Sequence, residues 1–207
     1  YPLDCLVNDK KMRKMIVVES TRLFAKDSFS GVSLQDISSV IGIKKASLYN
    51  YFQSKEDLWN EVVENISILY SLYFERLDSA ISDSSTFEEV VDCMFVEIEE
   101  IVDLFTYYAF SIIQTNHIRC DKCGDIYNNQ FLKFSIDFIT EAFDKCIEKG
   151  LVRKFSTKTV ATFFMHSVLI GMNIRIQEDM DREIPYDVKE MFVSLKEYIL
   201  SSAKAGI

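Results

Sequence analysis

The chain has 207 residues, 48% hydrophobic and 27% charged, a composition that excludes a disordered, collagen-like or coiled-coil protein. Only 6 glycines and 2 prolines leave too little turn chemistry for a many-stranded sandwich or a glycine-looped nucleotide fold, so an all-α protein is expected. The net charge of −9 argues against a nucleic-acid partner until its distribution is read: nine Lys and Arg face three Asp and Glu between Lys10 and Lys55, whereas beyond Trp59 14 Lys and Arg face 25 Asp and Glu.

In the basic segment, Met12, Ile16, Ser20, Leu23 and Phe24 recur at three- and four-residue steps and mark one face of a first helix from about Asp9 to Asp27. Ser33 with Asp36 forms a capping-box pattern that opens a short second helix with Leu34, Ile37 and Ile41 on its apolar face. Gly42 follows at once and supplies the positive φ that stops a helix within one residue. A third helix is expected over Lys44 to Phe52, with Leu48 and Phe52 inward and Lys45, Ser47, Tyr49 and Asn50 projecting outward. Two short helices crossing over a tight turn are a helix-turn-helix, whose second member fits the major groove, about 12 Å wide. Lys44, Lys45 and Lys55 bring phosphate charge, Tyr49 a phenolic donor, and Ser47 and Asn50 groups for bases or backbone.

These residues carry a resemblance. The run from Leu23 to Leu58, LFAKDSFSGVSLQDISSVIGIKKASLYNYFQSKEDL, resembles the amino-terminal DNA-binding domain of tetracycline-repressor (TetR) family transcriptional regulators. The match lies in Leu23-Phe24-Ala25, Asp36-Ile37, Ile41-Gly42-Ile43, Leu48-Tyr49-x-Tyr51-Phe52 and Ser54-Lys55-Glu56-Asp57-Leu58. The resemblance implies operator contacts by Lys45, Ser47, Tyr49 and Asn50, a phosphate held by Lys55, and the helix terminus at Ser33 brought to the DNA backbone. Ser28 stands where the family usually has the glycine that ends the first helix, Val32 replaces a common threonine, and Lys44 replaces the usual serine cap. A lost cap of that kind costs about 1 kcal/mol.

Beyond the motif, Ser54 with Asp57 caps a long fourth helix to about Ile81 with Leu58, Val62, Ile66, Leu69, Tyr73 and Leu77 on one face. Ser85 with Glu88 opens a fifth helix, and a sixth runs to about Asn116. After an irregular piece from His117 to Gly124, Tyr127, Phe131, Phe134, Phe138 and Ala142 describe a seventh that ends before Gly150. An eighth runs from Ser156 through Gln177 and a ninth from Asp187 to about Ala203. Nine helices divide into a DNA-binding domain over 9–55 and an effector-binding and dimerisation domain over 56–207.

Aromatic residues crowd the second part, 21 of 27 lying after Leu58, and an aromatic stripe at helical spacing is usually core. Family members generally bind a small molecule there, so the resemblance makes Tyr70, Phe95, Tyr108, Phe131, Phe138 and His166 lining candidates for a largely apolar or aromatic effector. It also implies a homodimer joined by the last two helices, with Phe164, Val168, Met172, Met191, Leu195 and Ile199 at the contact.

Five cysteines at irregular spacing suit reduced thiols better than a disulfide framework. His117, Cys120 and Cys123 place three metal-ligating types close together, but a structural zinc site normally takes four, and reduced thiols, a metal site and an oxidation-sensing disulfide all stand as readings. No cofactor motif is present. Two histidines, no glycine-rich phosphate loop and no clustered metal carboxylates leave no catalytic constellation, so no enzyme is expected. The longest apolar-rich stretch, Phe163 to Ile174, falls short of the roughly 20 residues of a membrane span, and Tyr1 to Asp9 lack a signal pattern, so the expected location is the cytoplasm. The sequence thus points to a ligand-responsive repressor released from a palindromic operator. An architectural DNA-binding protein without an effector, or a metal- or redox-sensing regulator, is the alternative.

Overall fold

The computed structural model describes residues 11–101, 104–179 and 187–204, and they are all-α. The helices are α1 (Lys11–Gly31), α2 (Leu34–Ile41), α3 (Lys45–Leu48), α4 (Lys55–Ser82), α5 (Phe87–Ile101), α6 (Leu104–Asn116), α7 (Asp121–Asp125), α8 (Phe134–Glu148), α9 (Thr157–Asp179) and α10 (Val188–Lys204). A π-helical stretch, Ile126–Lys133, joins α7 to α8 without a break, so the described residues make nine continuous helical rods. The start expected at Asp9 lies outside the described residues. The piece expected to be irregular up to Gly124 is already helical from Asp121, because the Cys120 sulfur accepts the Cys123 N–H (3.4 Å) and caps that turn.

The chain forms two compact units. Among the described residues, one holds those up to Leu72 with Phe105–Tyr127, and the other holds those of Tyr73–Leu104 with those from Asn128 onward. In the first unit, Ile16, Val17, Phe24, Val32, Ile37, Leu48, Phe52, Leu58 and Val62 are buried, so α1, α2, α3 and the start of α4 share one core. Phe24, Phe29 and Trp59 close its edge, with ring centroids 5.0 to 5.6 Å apart. The α1 helix breaks at Ser28, whose φ of 66° and ψ of 164° belong to a region essentially reserved for glycine. The Ser28 hydroxyl offsets part of that strain by accepting the Gly31 N–H at 3.3 Å.

In the second unit, α8 packs on α9, and α10 packs on both α5 and α9. Phe87, Phe143 and Phe155 form one ring cluster and Phe95, Phe164 and Phe192 another. The α9 and α10 helices approach closely at Gly171, where a Cβ would meet Phe192 Cζ at 2.7 Å. Two helix starts behave as their sequences imply: Asp57 N–H donates to Ser54 Oγ (3.0 Å), and Lys189 and Glu190 N–H donate to Asp187 Oδ1. The cap of α5 lies one residue later than expected. Thr86 and Glu89 form the reciprocal pair, and the Glu89 carboxylate also accepts the Ser85 N–H at 2.6 Å. Among the described residues no helix is long and apolar enough to cross a membrane.

Candidate nucleic-acid interface

The interface is built on α2 and the segment after it. The capping box is complete: Asp36 N–H donates to Ser33 Oγ (3.2 Å), while Ser33 N–H (2.7 Å) and Ser33 Oγ–H (2.6 Å) both donate to Asp36 Oδ2. These bonds, the Ser33 side chain first, hold the Asp36 carboxyl below the usual aspartate range, with the nearby Lys55 charge adding to the effect. Gly42 ends α2 in the left-handed conformation (φ 78°), and the Ile43 N–H reaches back to Ser38 O at 3.0 Å, the six-to-one bond that closes such a stop. Ser38 is fully buried where the two helices cross.

The third helix is shorter than its sequence suggested. Regular α-helix covers Lys45–Leu48, and a turn region takes over from Tyr49 rather than helix continuing to Phe52. The reason is local: Lys44 occupies the cap position with extended backbone and no side-chain capping bond, so a four-residue helix has no help at its start. Asn50 N–H to Ser47 O and Tyr51 N–H to Leu48 O continue the segment in tighter turns. Leu48 and Phe52 remain its inward anchors at 1% and 3% exposure. Lys44, Lys45, Tyr49 and Asn50 are exposed, and Ser47 is half-buried.

Two charged residues hold this segment. Lys55 Nζ lies over the Phe29 ring, 4.3 Å from its centroid, which fixes the charge at the start of α4 near Asp36. Arg13 on α1 does more than add to the basic charge of the segment. Its guanidinium grips the Glu61 carboxylate of α4 through Nε (3.0 Å) and Nη2, donates from Nη1 to the Tyr51 carbonyl, and stacks over the Phe52 ring at 4.3 Å. Sequence reading missed this role, since no spacing rule links positions 48 residues apart.

The remaining candidates are dispersed. Tyr70 and Tyr108 lie in the first unit, both buried, and burial with the neighbouring Tyr127 pushes the Tyr70 phenol well above its ordinary range. Phe95, Phe131, Phe138 and His166 lie in the second. There Phe95 packs against Phe164 and Phe192, Phe138 packs against Phe74 and Phe134, and His166 sits on an exposed face of α9 with Nδ1 2.7 Å from Thr162 O. Phe138 also borders a recess of about 200 Å³ with Cys146, Glu141, Lys145 and Asp78.

Of the dimer candidates, Phe164, Val168, Met172 and Ile199 are buried in the chain's own core, while Met191 and Leu195 are half-buried. Phe163 and Ile170 on α9 and Val193 and Tyr198 on α10 instead stand 51% to 58% exposed. His117 stacks on Tyr127 (4.3 Å) with Nδ1 at the Gln114 carbonyl, and Cys120 and Cys123 are free thiols. Burial drives the Cys123 thiol well above its usual range, with its bond to Cys120 as the next cause. Among the described residues no three His, Cys, Asp or Glu side chains gather as a metal site.

A fully capped α2, a glycine stop and an exposed segment of cations and hydrogen-bonding groups pinned by Leu48 define a helix-turn-helix. Residues 16–62 match the model of the bacterial regulatory proteins of the tetR family. The HTH-type transcriptional repressor DhaR of Mycobacterium sp. (strain GP1) is 24% identical over 186 residues, 83% of this chain and 85% of that protein. The biofilm operon icaADBC negative regulator IcaR of Staphylococcus epidermidis is 39% identical over 54 residues, 26% of this chain and 29% of that protein. A transcriptional regulator from Saccharomonospora viridis, solved in complex with choline, shares the fold with a TM-score of 0.70 at 19% identity, over 92% of this chain and 96% of that one.

Proposed function

We infer that this protein is a homodimeric repressor that binds a near-palindromic operator and releases it when a small, largely apolar or aromatic effector enters the helical body. The observation that carries the reading is the exposed set Lys44, Lys45, Tyr49 and Asn50 on a segment whose Leu48 is buried. On DNA, Lys44 and Lys45 neutralise phosphates, the Tyr49 hydroxyl donates to a phosphate oxygen, and Asn50 and Ser47 reach base edges. Lys55 and the α2 terminus at Ser33 meet the flanking backbone. Residues 9–55 serve as the DNA-binding domain and 56–207 as the effector and dimer domain.

The dimer contact lies on the outer faces of α9 and α10. Phe163, Ile170, Val193 and Tyr198 take the place of the inward Phe164, Val168, Met172 and Ile199, with Met191 and Leu195 at its margin. For the effector, Phe95, Phe131 and Phe138 of the second unit are the aromatic candidates, and the choline bound by the S. viridis regulator supports a small organic ligand. Effector binding selects the dimer state in which the two heads no longer match successive major grooves.

The test is an electrophoretic shift on DNA flanking the protein's own coding region, and on a random-sequence library, with Tyr49→Phe and Lys45→Ala as controls. Salt-sensitive binding to an inverted repeat that both variants weaken supports the reading. No binding to any sequence in the library sinks it.

A further inference from the structure

We propose that Cys120 and Cys123 form a reversible dithiol–disulfide site, oxidised by a hydroperoxide, whose state is read at the recognition segment through α4. The proposal rests on the regulator reading for its consequence, but the site itself stands on its own geometry.

The two sulfurs are neighbours by construction. Cys120 is the cap of α7 and Cys123 lies three residues on, so both side chains meet at the first turn. The Cys120 sulfur accepts the Cys123 backbone N–H at 3.4 Å. Their exposures differ, so that a peroxide meets Cys120 first. Cys120 is half-buried on a loop that leaves Ile118 84% exposed, whereas Cys123 is sealed beneath it at 0%. A metal is a poorer occupant, because among the described residues no three His, Cys, Asp or Glu side chains gather as a metal site.

The chemistry balances with one hydroperoxide. The Cys120 sulfur attacks the terminal peroxide oxygen, the O–O bond breaks, an alcohol leaves, and Cys120 becomes a sulfenic acid. Opening of the first turn of α7 releases the Cys123 thiol from burial, and its sulfur then displaces that oxygen, which departs as water with the thiol proton. Each sulfur gives up one electron, the peroxide takes both, and a dithiol reductant reverses the step.

Two ion pairs connect this turn to the DNA-reading segment. Lys122, between the two cysteines, pairs with Glu64 of α4 at 2.5 Å. One turn earlier on the same helix, Glu61 is gripped by Arg13, which holds the Tyr51 carbonyl and the Phe52 ring. Drawing the Cys120 sulfur onto Cys123 takes it away from the Cys123 N–H, re-forms the first turn of α7 and moves Lys122. The displacement reaches α4 at Glu64 and the recognition segment through Glu61 and Arg13.

The experiment oxidises the reduced full-length protein with hydrogen peroxide and follows intact mass, tryptic peptides and operator affinity together. The expected result is a mass lower by two hydrogens, a bond joining the peptides that hold Cys120 and Cys123, and an operator affinity changed about tenfold and restored by dithiothreitol. Cys120→Ser keeps a capping oxygen and binds operator normally when reduced, but does not respond to peroxide. Glu64→Gln still forms the disulfide and loses most of the change in affinity. The proposal is overturned if peroxide forms no such bond, if the bond leaves operator affinity unchanged, if Cys120→Ser responds like the parent, or if the purified protein holds stoichiometric zinc at the thiols. If the reduced protein binds no DNA, the regulator reading fails by itself. Mass and amide exchange over α4, compared between reduced and oxidised protein, then decide the site and its coupling.

Discussion

Arg13 and Tyr51 are joined side chain to backbone: Arg13 Nη1 donates to the Tyr51 carbonyl at 2.5 Å while the rest of the guanidinium holds Glu61. The carbonyl stands at the end of the recognition segment, where the short α3 has already given way to turns. Arg13 therefore supplies from outside the rigidity that the uncapped start of α3 does not supply from within. Arg13→Lys keeps the charge and loses the fork that spans Glu61, Tyr51 and Phe52 together. The expected outcome is a loss of about 1–2 kcal/mol of stability in urea unfolding. Operator affinity falls while the slope of affinity against salt stays as in the parent, because no phosphate contact is removed.

Ser28 carries strain that a glycine would relieve. Its φ of 66° with ψ of 164° penalises a Cβ, and its hydroxyl returns part of the cost through the Gly31 N–H. Ser28→Gly is expected to raise stability by roughly 0.5–1 kcal/mol, and Ser28→Ala, which keeps the strain and loses the bond, to lower it by about 1 kcal/mol. Thermal unfolding of the three proteins checks the order.

Asp36 ties the start of α2 to pH. Its carboxyl is held below the ordinary aspartate value, so the stabilisation it gives is fully present above that value and is lost as pH falls through the lower folded one. Acid titration of stability should show this loss at the acid end, and Asp36→Asn should remove that part of the dependence.

Gly171 tests the α9–α10 contact. A Cβ there would overlap Phe192 Cζ and Cε2, so the ring, which packs edge-on against Phe95, has to shift. Gly171→Ala is expected to cost about 1–3 kcal/mol, and Phe192→Leu in the same chain to recover part of it, a coupling that a double-mutant cycle in denaturant measures.

The head was largely legible in the sequence because its rules are short-range. Ser33 with Asp36, Gly42, and the four-residue step from Leu48 to Phe52 each fix one turn of chain, and each has the geometry implied by its spacing. The length of α3 was not legible, since inward spacing at 48 and 52 is compatible with helix or with successive tight turns. Arg13 read as one of many surface cations because its partners arrive from α4 and from the end of the recognition segment. The α9 helix is apolar around much of its circumference, so the resemblance that named Phe164, Val168 and Met172 for a dimer contact came with no spacing that tells inward from outward, and all three are buried within the chain. The aromatic residues of the body had the same ambiguity, and His166 proved to be exposed.

The most direct test of the central claim is a hydroxyl-radical footprint of the protein on its selected operator, with the number of chains per site measured on the same complex. Two protected patches about one helical turn apart, roughly 34 Å, with two chains bound and both patches lost in Tyr49→Phe combined with Lys45→Ala, are the expected result. Protection by a single chain, or a footprint that this double variant leaves intact, would contradict the assignment of the recognition segment and of the dimer.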